Sequence, residues 1–196
     1  GLSSAQHKVT WEISVYSVMA GKKLHTNRLT LRRWKREDND PFAAICGDPE
    51  VMRFIGDGST RTPEQAAKSI QAFEREWDER GYGLFAVEER ETSQLIGFTG
   101  LSYPDFLPEL LPSVEIGWRL ARQSWGIGYA SEAAAAALSF GVNEPGLHDI
   151  VSIYQIGNGA SARIMQKIGM EFDRRTTDPT CNREVGVYRI NCRLLA

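Results

Sequence analysis

Apolar and polar residues alternate along LTLRRW (29–34), the period of a half-buried strand. Over 37–55 the spacing turns helical, with Phe42 and Ile45 on one side and a restart at DPE (48–50), where Asp48 can cap and Pro49 suits a first helical turn. TPEQ (62–65) marks a sharper start, because Thr62 and Gln65 have capping-box spacing around Pro63. Behind it Ala66, Ile70, Phe73 and Trp77 recur at helical spacing and predict a core-facing stripe. RGYG (80–83) breaks that helix. Three strands are expected next, LFAVEE (84–89), QLIGFTGL (94–101) and SVEIGWRLA (113–121), the first two joined by the short ETS turn (91–93) as an antiparallel hairpin. SYPDFLPELLP (102–112) has three prolines and reads as a loop whose length and Tyr, Phe and Leu content point to a job beyond connection. RQSWGIGYASEA (122–133) leads into an alanine-rich helix through about Phe140, followed by DIVSIYQI (149–156) as a buried strand. NGASARIMQKIG (158–169) is a helix with Asn158 as N-cap and Gly169 as its stop, and EFDRRTT and VGVYRINC form a closing hairpin. With no internal repeat and no linker, one domain over 23–196 is expected, behind an N-terminal extension of residues 1–22.

Composition narrows the class. A chain of 196 residues with 42% hydrophobic and 24% charged positions suits a soluble globular domain. A net charge of −2 lacks the basic excess of a nucleic-acid partner, and no apolar run reaches the ~18 residues of a membrane span. Cys46, Cys181 and Cys192 are odd in number and have no CxxC spacing, so neither a disulfide framework nor a metal site is expected. Together with the lack of signal-peptide features at the N-terminus, this predicts a cytoplasmic setting.

The chemistry concentrates in QSWGIGYA (123–130), where a strand hands over to a helix. A helix start leaves N–H groups unpaired and carries partial positive charge, so it holds anions. Gly126 and Gly128 would admit a phosphate with no Cβ in the way. The spacing is neither the G-x-G-x-x-G of a dinucleotide fold nor a P-loop, and by itself GxG is equally a tight turn. In context, VEIGWRLARQSWGIGYASEA resembles the GNAT N-acetyltransferase superfamily, whose acetyl-CoA pyrophosphate loop has the pattern Q/R-x-x-G-x-G/A after the fourth core strand. It is most similar to the branch of ribosomal-protein alanine and serine N-acetyltransferases. Gln123, Gly126 and Gly128 match in order and spacing, and NGASARIMQKIGM (158–170) resembles that branch's N-x-x-S…K-h-G-h helix, h being apolar.

The resemblance, which spans roughly Leu24 to Ile190, implies an α/β (α+β) fold. Its mixed, mostly antiparallel central sheet would have about six to seven strands, flanked by helices, with the fourth and fifth strands splayed around the pantetheine arm. Gly117 would be a bulge or a point of close approach, and Trp118, Arg119 and Leu120 would face the arm. The pyrophosphate would meet the amides of Gly126, Ile127, Gly128, Tyr129 and Ala130. Ser131 adds a hydroxyl or simply caps locally.

Acetyl transfer needs an uncharged amine, a stabilised oxyanion and a proton for the departing thiolate. The resemblance puts Glu115 beside the thioester as base, with an edge-facing structural carboxylate as its competitor. Amides near Trp118 to Leu120 would hold the thioester oxygen. Many members carry a tyrosine as thiolate acid in the last helix, but alignment on Lys167 and Gly169 puts Met165 there. Ser161 is the substitute that the branch suggests, and Asn158 would bond the arm, cap its helix, or both. Tyr103 would shape the acceptor site unless it only packs. Arg174, Arg175 and Arg183 would steer an acidic acceptor or solubilise the turn.

The expectation is therefore an acetyl-CoA-dependent N-acetyltransferase with acetyl-CoA as co-substrate and no metal. Transfer would run directly to a primary amine, a protein N-terminal α-amine or a small molecule, in a monomer or homodimer. The alternatives are a CoA-binding module without turnover and an acyltransferase using another acyl-CoA.

Overall fold

The strands read from alternation lie in one sheet of eight, in a computed structural model that describes residues 23–190. In chain order the elements are β1 (Leu24–His25), β2 (Leu29–Arg32), α1 (Asn39–Cys46), α2 (Pro49–Met52), α3 (Pro63–Arg80), β3 (Leu84–Glu89), β4 (Leu95–Ser102), β5 (Val114–Leu120), α4 (Tyr129–Asn143), β6 (Ile150–Gln155), α5 (Gly159–Lys167), β7 (Met170–Asp178) and β8 (Arg183–Ile190). Neighbours run β1-β2-β3-β4-β5-β6-β8-β7. Every adjacent pair is antiparallel except β5 and β6. The expected extension of residues 1–22 and the last residues of the expected closing hairpin, with Cys192, lie outside the described residues.

The sheet exceeds the expected six to seven strands by β1. That strand is two residues long and too short to show alternation. It is held through the Thr26 turn, where Leu29 N–H donates to Thr26 Oγ1 at 3.0 Å. The start signals behave as their chemistry predicts. Asp48 Oδ1 accepts from Glu50 N–H, and Thr62 and Gln65 bond reciprocally. α3 ends at Gly81, whose φ of 77° is left-handed.

Helices cover both faces. The buried alanines 133–137 let α4 lie close on Leu101, Ile116 and Leu120. On the other face Phe42, Cys46, Ala66 and Ile70 pack on Leu84, Ala86 and Phe98. Trp77, at the end of α3, packs edge-on against Phe85 and joins the α4 side. The 102–112 loop does more than connect: Leu107 and Leu110 are buried against Val151, Val185 and Val187. No helix among the described residues is long and apolar enough to cross a membrane.

Candidate active site

The parallel pair is where the sheet opens. β5 and β6 share only the rungs Val114–Ile150 and Glu115–Val151, and then Ser152 Oγ donates to Ile116 O at 2.7 Å in place of a further backbone rung. Strand alternation fixes what lies beyond. Val114 N–H donates to Asp149 O on the β6 side and Ala121 N–H to Ile96 O on the β4 side. The N–H groups of Trp118 and Leu120 therefore point into the splay, where no strand stands opposite. Leu120 O is taken by Trp125 Nε1 at 2.9 Å. The resulting cleft encloses about 780 Å³. Gly117 is not a bulge: β4 and β5 pair without a register shift, Gly117 facing Gly100. With no side chain required by a turn, its effect is spatial, since a Cβ there would meet no atom within 4 Å.

At the mouth of the splay Gly126 and Gly128 have φ of 75° and 86°, a left-handed backbone that favours glycine. No side chain caps α4, so its first-turn N–H groups stay open beside the cleft. Gly126, Gly128, Ala130 and Ser131 line it, with Ser131 buried. Ile127 is exposed at the tip of the turn. Tyr129 also lines the cleft, but its hydroxyl donates away to Glu89 Oε2 at 2.7 Å, holding that carboxyl below its ordinary range. Gln123 is not in this group, because the tight turn at 122–124 leaves it exposed on a separate hollow with Lys35 and Ser93.

Sequence reasoning missed the brace under this turn. Arg28 donates to Ile127 O (2.8 Å) and Glu132 Oε1 (2.8 Å) and lies over the Tyr129 ring at 4.3 Å. The basic residues from Arg28 to Arg36 read as a solvated face, and nothing local marks the brace, because its partners lie about a hundred residues away. Arg28→Ala is expected to loosen the turn and lower the thermal midpoint of unfolding, which calorimetry measures.

On the opposite wall, Asn158 Oδ1 caps α5 by accepting from Ser161 N–H at 3.3 Å. Trp118 Nε1 donates to Ser161 Oγ at 3.3 Å, which occupies that oxygen as acceptor and leaves its own proton available. All three residues line the cleft, as Leu120 does, whereas Met165 is buried in the core. Tyr103 lies elsewhere: Tyr82 OH donates to its hydroxyl at 3.2 Å and Arg80 covers its ring. Arg174 and Arg175 pair with Asp173 and Glu184.

Glu115 and Arg119 share the face of β5 turned away from α4, with Gly117 between them. Glu115 is half-buried and is not among the residues that line the cleft. Burial pushes its carboxyl up to about 8, against a smaller downward pull from the Ser102 hydrogen bond. It is thus the titratable group near the splay poised at a working pH.

A sheet parted at its one parallel pair, with an uncapped helix start at the mouth of the gap, is the arrangement that the sequence resemblance implies. The chain matches the family model described as an acetyltransferase (GNAT) domain over residues 28–171; it belongs to that family and is an N-acetyltransferase. It is 32% identical over 175 residues to the uncharacterized protein YkkB of Bacillus subtilis, covering 86% of this chain and 95% of YkkB. A GNAT-family acetyltransferase structure from Bacillus anthracis is similar at 26% identity and a TM-score of 0.71, covering 86% and 97% of the two chains. More distant structures share the fold. One is a Vibrio cholerae spermidine N-acetyltransferase in complex with CoA and spermine (17% identity, TM-score 0.66, 83% and 94% covered). Another is RimL, a ribosomal L7/L12 α-N-protein acetyltransferase in complex with CoA (13%, 0.68, 84% and 94%).

Proposed function

We propose that this enzyme transfers acetyl from acetyl-CoA directly to a primary amine that reaches the splay from the face opposite α4. One observation carries this reading: an uncapped helix start behind two left-handed glycines opens beside unpaired strand amides at Trp118 and Leu120. The pyrophosphate would sit on the amides from Gly126 to Ala130, within reach of the Ser131 hydroxyl. The pantetheine arm would run between β5 and β6, bonded by Asn158 and the β5 backbone.

Glu115, which does not itself line the cleft, accepts a proton from the bound ammonium through water. The freed nitrogen attacks the thioester carbon, and the Trp118 N–H holds the resulting oxyanion. As the C–S bond breaks, the thiolate takes a proton from Ser161, whose oxygen is already engaged by the Trp118 indole. The nitrogen sheds its second proton as the amide forms, water carries that proton to Ser161, Glu115 releases its own to solvent, and the amide and CoA leave. Met165 has no part in this, consistent with its burial.

Acetyl-CoA turnover followed by thiol release, against a mixed panel of peptides and small amines, tests the reading. Release that depends on an amine supports it. CoA binding without release across the whole panel favours a binding module, and faster release from another acyl-CoA favours a different donor. Ser161→Ala is expected to lower kcat about 10-fold with unchanged CoA affinity, because water can protonate the thiolate less well. Steady-state kinetics at saturating acetyl-CoA measure this.

A further inference from the structure

Acetyl transfer as described leaves Arg119 without a task. Its Nη1 donates to Cys46 Sγ at 3.4 Å and its guanidinium lies over the Phe98 ring at 5.0 Å. Its Nε is buried with no acceptor among the described residues. The charged or polar groups that act on it are Cys46 and Arg61, with no carboxylate among them, so burial pulls its pKa down. This chain treats a structural arginine differently: Arg32, also removed from solvent, is bonded twice to Asp38 and once to Glu88. A buried cation without an anion is costly, which is why such groups are normally paired.

A second cation lies close by: Arg61 comes from the loop between α2 and α3, where its backbone N–H donates to Cys46 O at 2.9 Å, and its charge acts on Arg119, which lines the cleft. Arg61 Nη1 donates to the Ser59 hydroxyl. The carboxylate beside it, Asp57, is engaged by the Ser59 N–H and hydroxyl. Arg183 adds a third guanidinium, bonded to Gln155 Oε1 and to the carbonyls of Arg53 and Asp57. Glu50 lines the same cleft but is exposed.

Resting on the acetyl-transfer reading, we infer that the acceptor is a small amine carrying a carboxylate, which Arg119 and Arg61 hold while its nitrogen lies over Gly117, toward Glu115. Glu115 and Arg119 are four residues apart on one strand, about 14 Å between Cα atoms at ~3.4 Å per residue. The open floor at Gly117 lies midway. An acid group a few bonds from the amine fits that span. A polyamine would bring positive charge to the arginines and has nothing to offer them.

The test is acetylation by the full chain of α- and β-amino acids against their carboxamides and spermidine, with acetyl-CoA and separately with succinyl-CoA. The acids are expected to exceed the amides by at least about 10-fold in kcat/KM, the usual weight of a charge-assisted contact. That ratio should fall toward one in both Arg119→Met and Arg61→Gln, with CoA affinity measured alongside to show that each variant keeps its donor site. Amides or spermidine accepted as well as the acids would overturn the inference, as would an acid preference that survives both substitutions. A preference for succinyl-CoA that the same substitutions abolish would assign the arginines to the acyl group instead. Neutral amines accepted without acid preference would sink this inference alone, whereas CoA binding with no acceptor of any kind would sink acetyl transfer with it.

Discussion

Glu115→Gln is expected to lower kcat by about 10²- to 10⁴-fold, the usual span for loss of a general base, with CoA affinity nearly unchanged. The affinity survives because Glu115 faces away from α4 and is not among the residues that line the cleft with the glycine turn. The pH dependence is equally specific. Only the ionised carboxylate takes a proton, and burial sets its pKa at about 8, so kcat/KM should climb through pH 8 and level off above it. An amine with a lysine-like pKa of about 10.4 keeps its own limb in both proteins, while the limb near 8 vanishes in the variant. Linkage gives a second readout. The folded pKa lies above the ordinary 4.5, so the folded state holds this proton more tightly than the unfolded chain does. The associated stability is complete below about 4.5 and is lost as pH rises through about 8. Thermal unfolding of Glu115→Gln should therefore lack that loss, and the variant should be the more stable protein at pH 9.

Gly126→Val is expected to raise the Kd for CoA by at least about 10-fold, which is 1.4 kcal/mol. The φ of 75° at Gly126 costs a residue with a Cβ about 1–2 kcal/mol, and more when it is β-branched. The turn must shift or stay strained, and either outcome misaligns the α4 amides. Residual kcat at saturating acetyl-CoA should be close to the original, because Glu115 and Ser161 do not touch the turn. A loss confined to kcat would contradict the assignment of these amides to the donor.

Local chemistry was the most legible part of this chain. The Thr62–Gln65 box, the Asp48 restart, the Asn158 cap and the glycine turn each depend on residues within a few positions, and each forms as its spacing predicts. What escaped depends on distant partners. The Arg28 brace joins residues about a hundred positions apart, and β1 exists only because β2 and Glu132 hold its turn. Met165 stands one helical turn after Ser161 on the same side of α5, yet it is buried in the core while Ser161 lines the cleft. Tyr103 was readable: Ser102 pairs with Glu115 on one face, so the next residue turns to the other and meets Tyr82. Gly117 looked like a bulge because a glycine inside a strand often is one, but its pairing with Gly100 is regular.

The most direct test of the whole account is a crystal structure of the enzyme with CoA. It should show the pyrophosphate on the amides from Gly126 to Ala130 and the arm between β5 and β6, bonded to the N–H groups of Trp118 and Leu120, with the sulfur near Ser161. CoA bound instead in the hollow beside Lys35 and Gln123, or with its arm outside the splay, would contradict it.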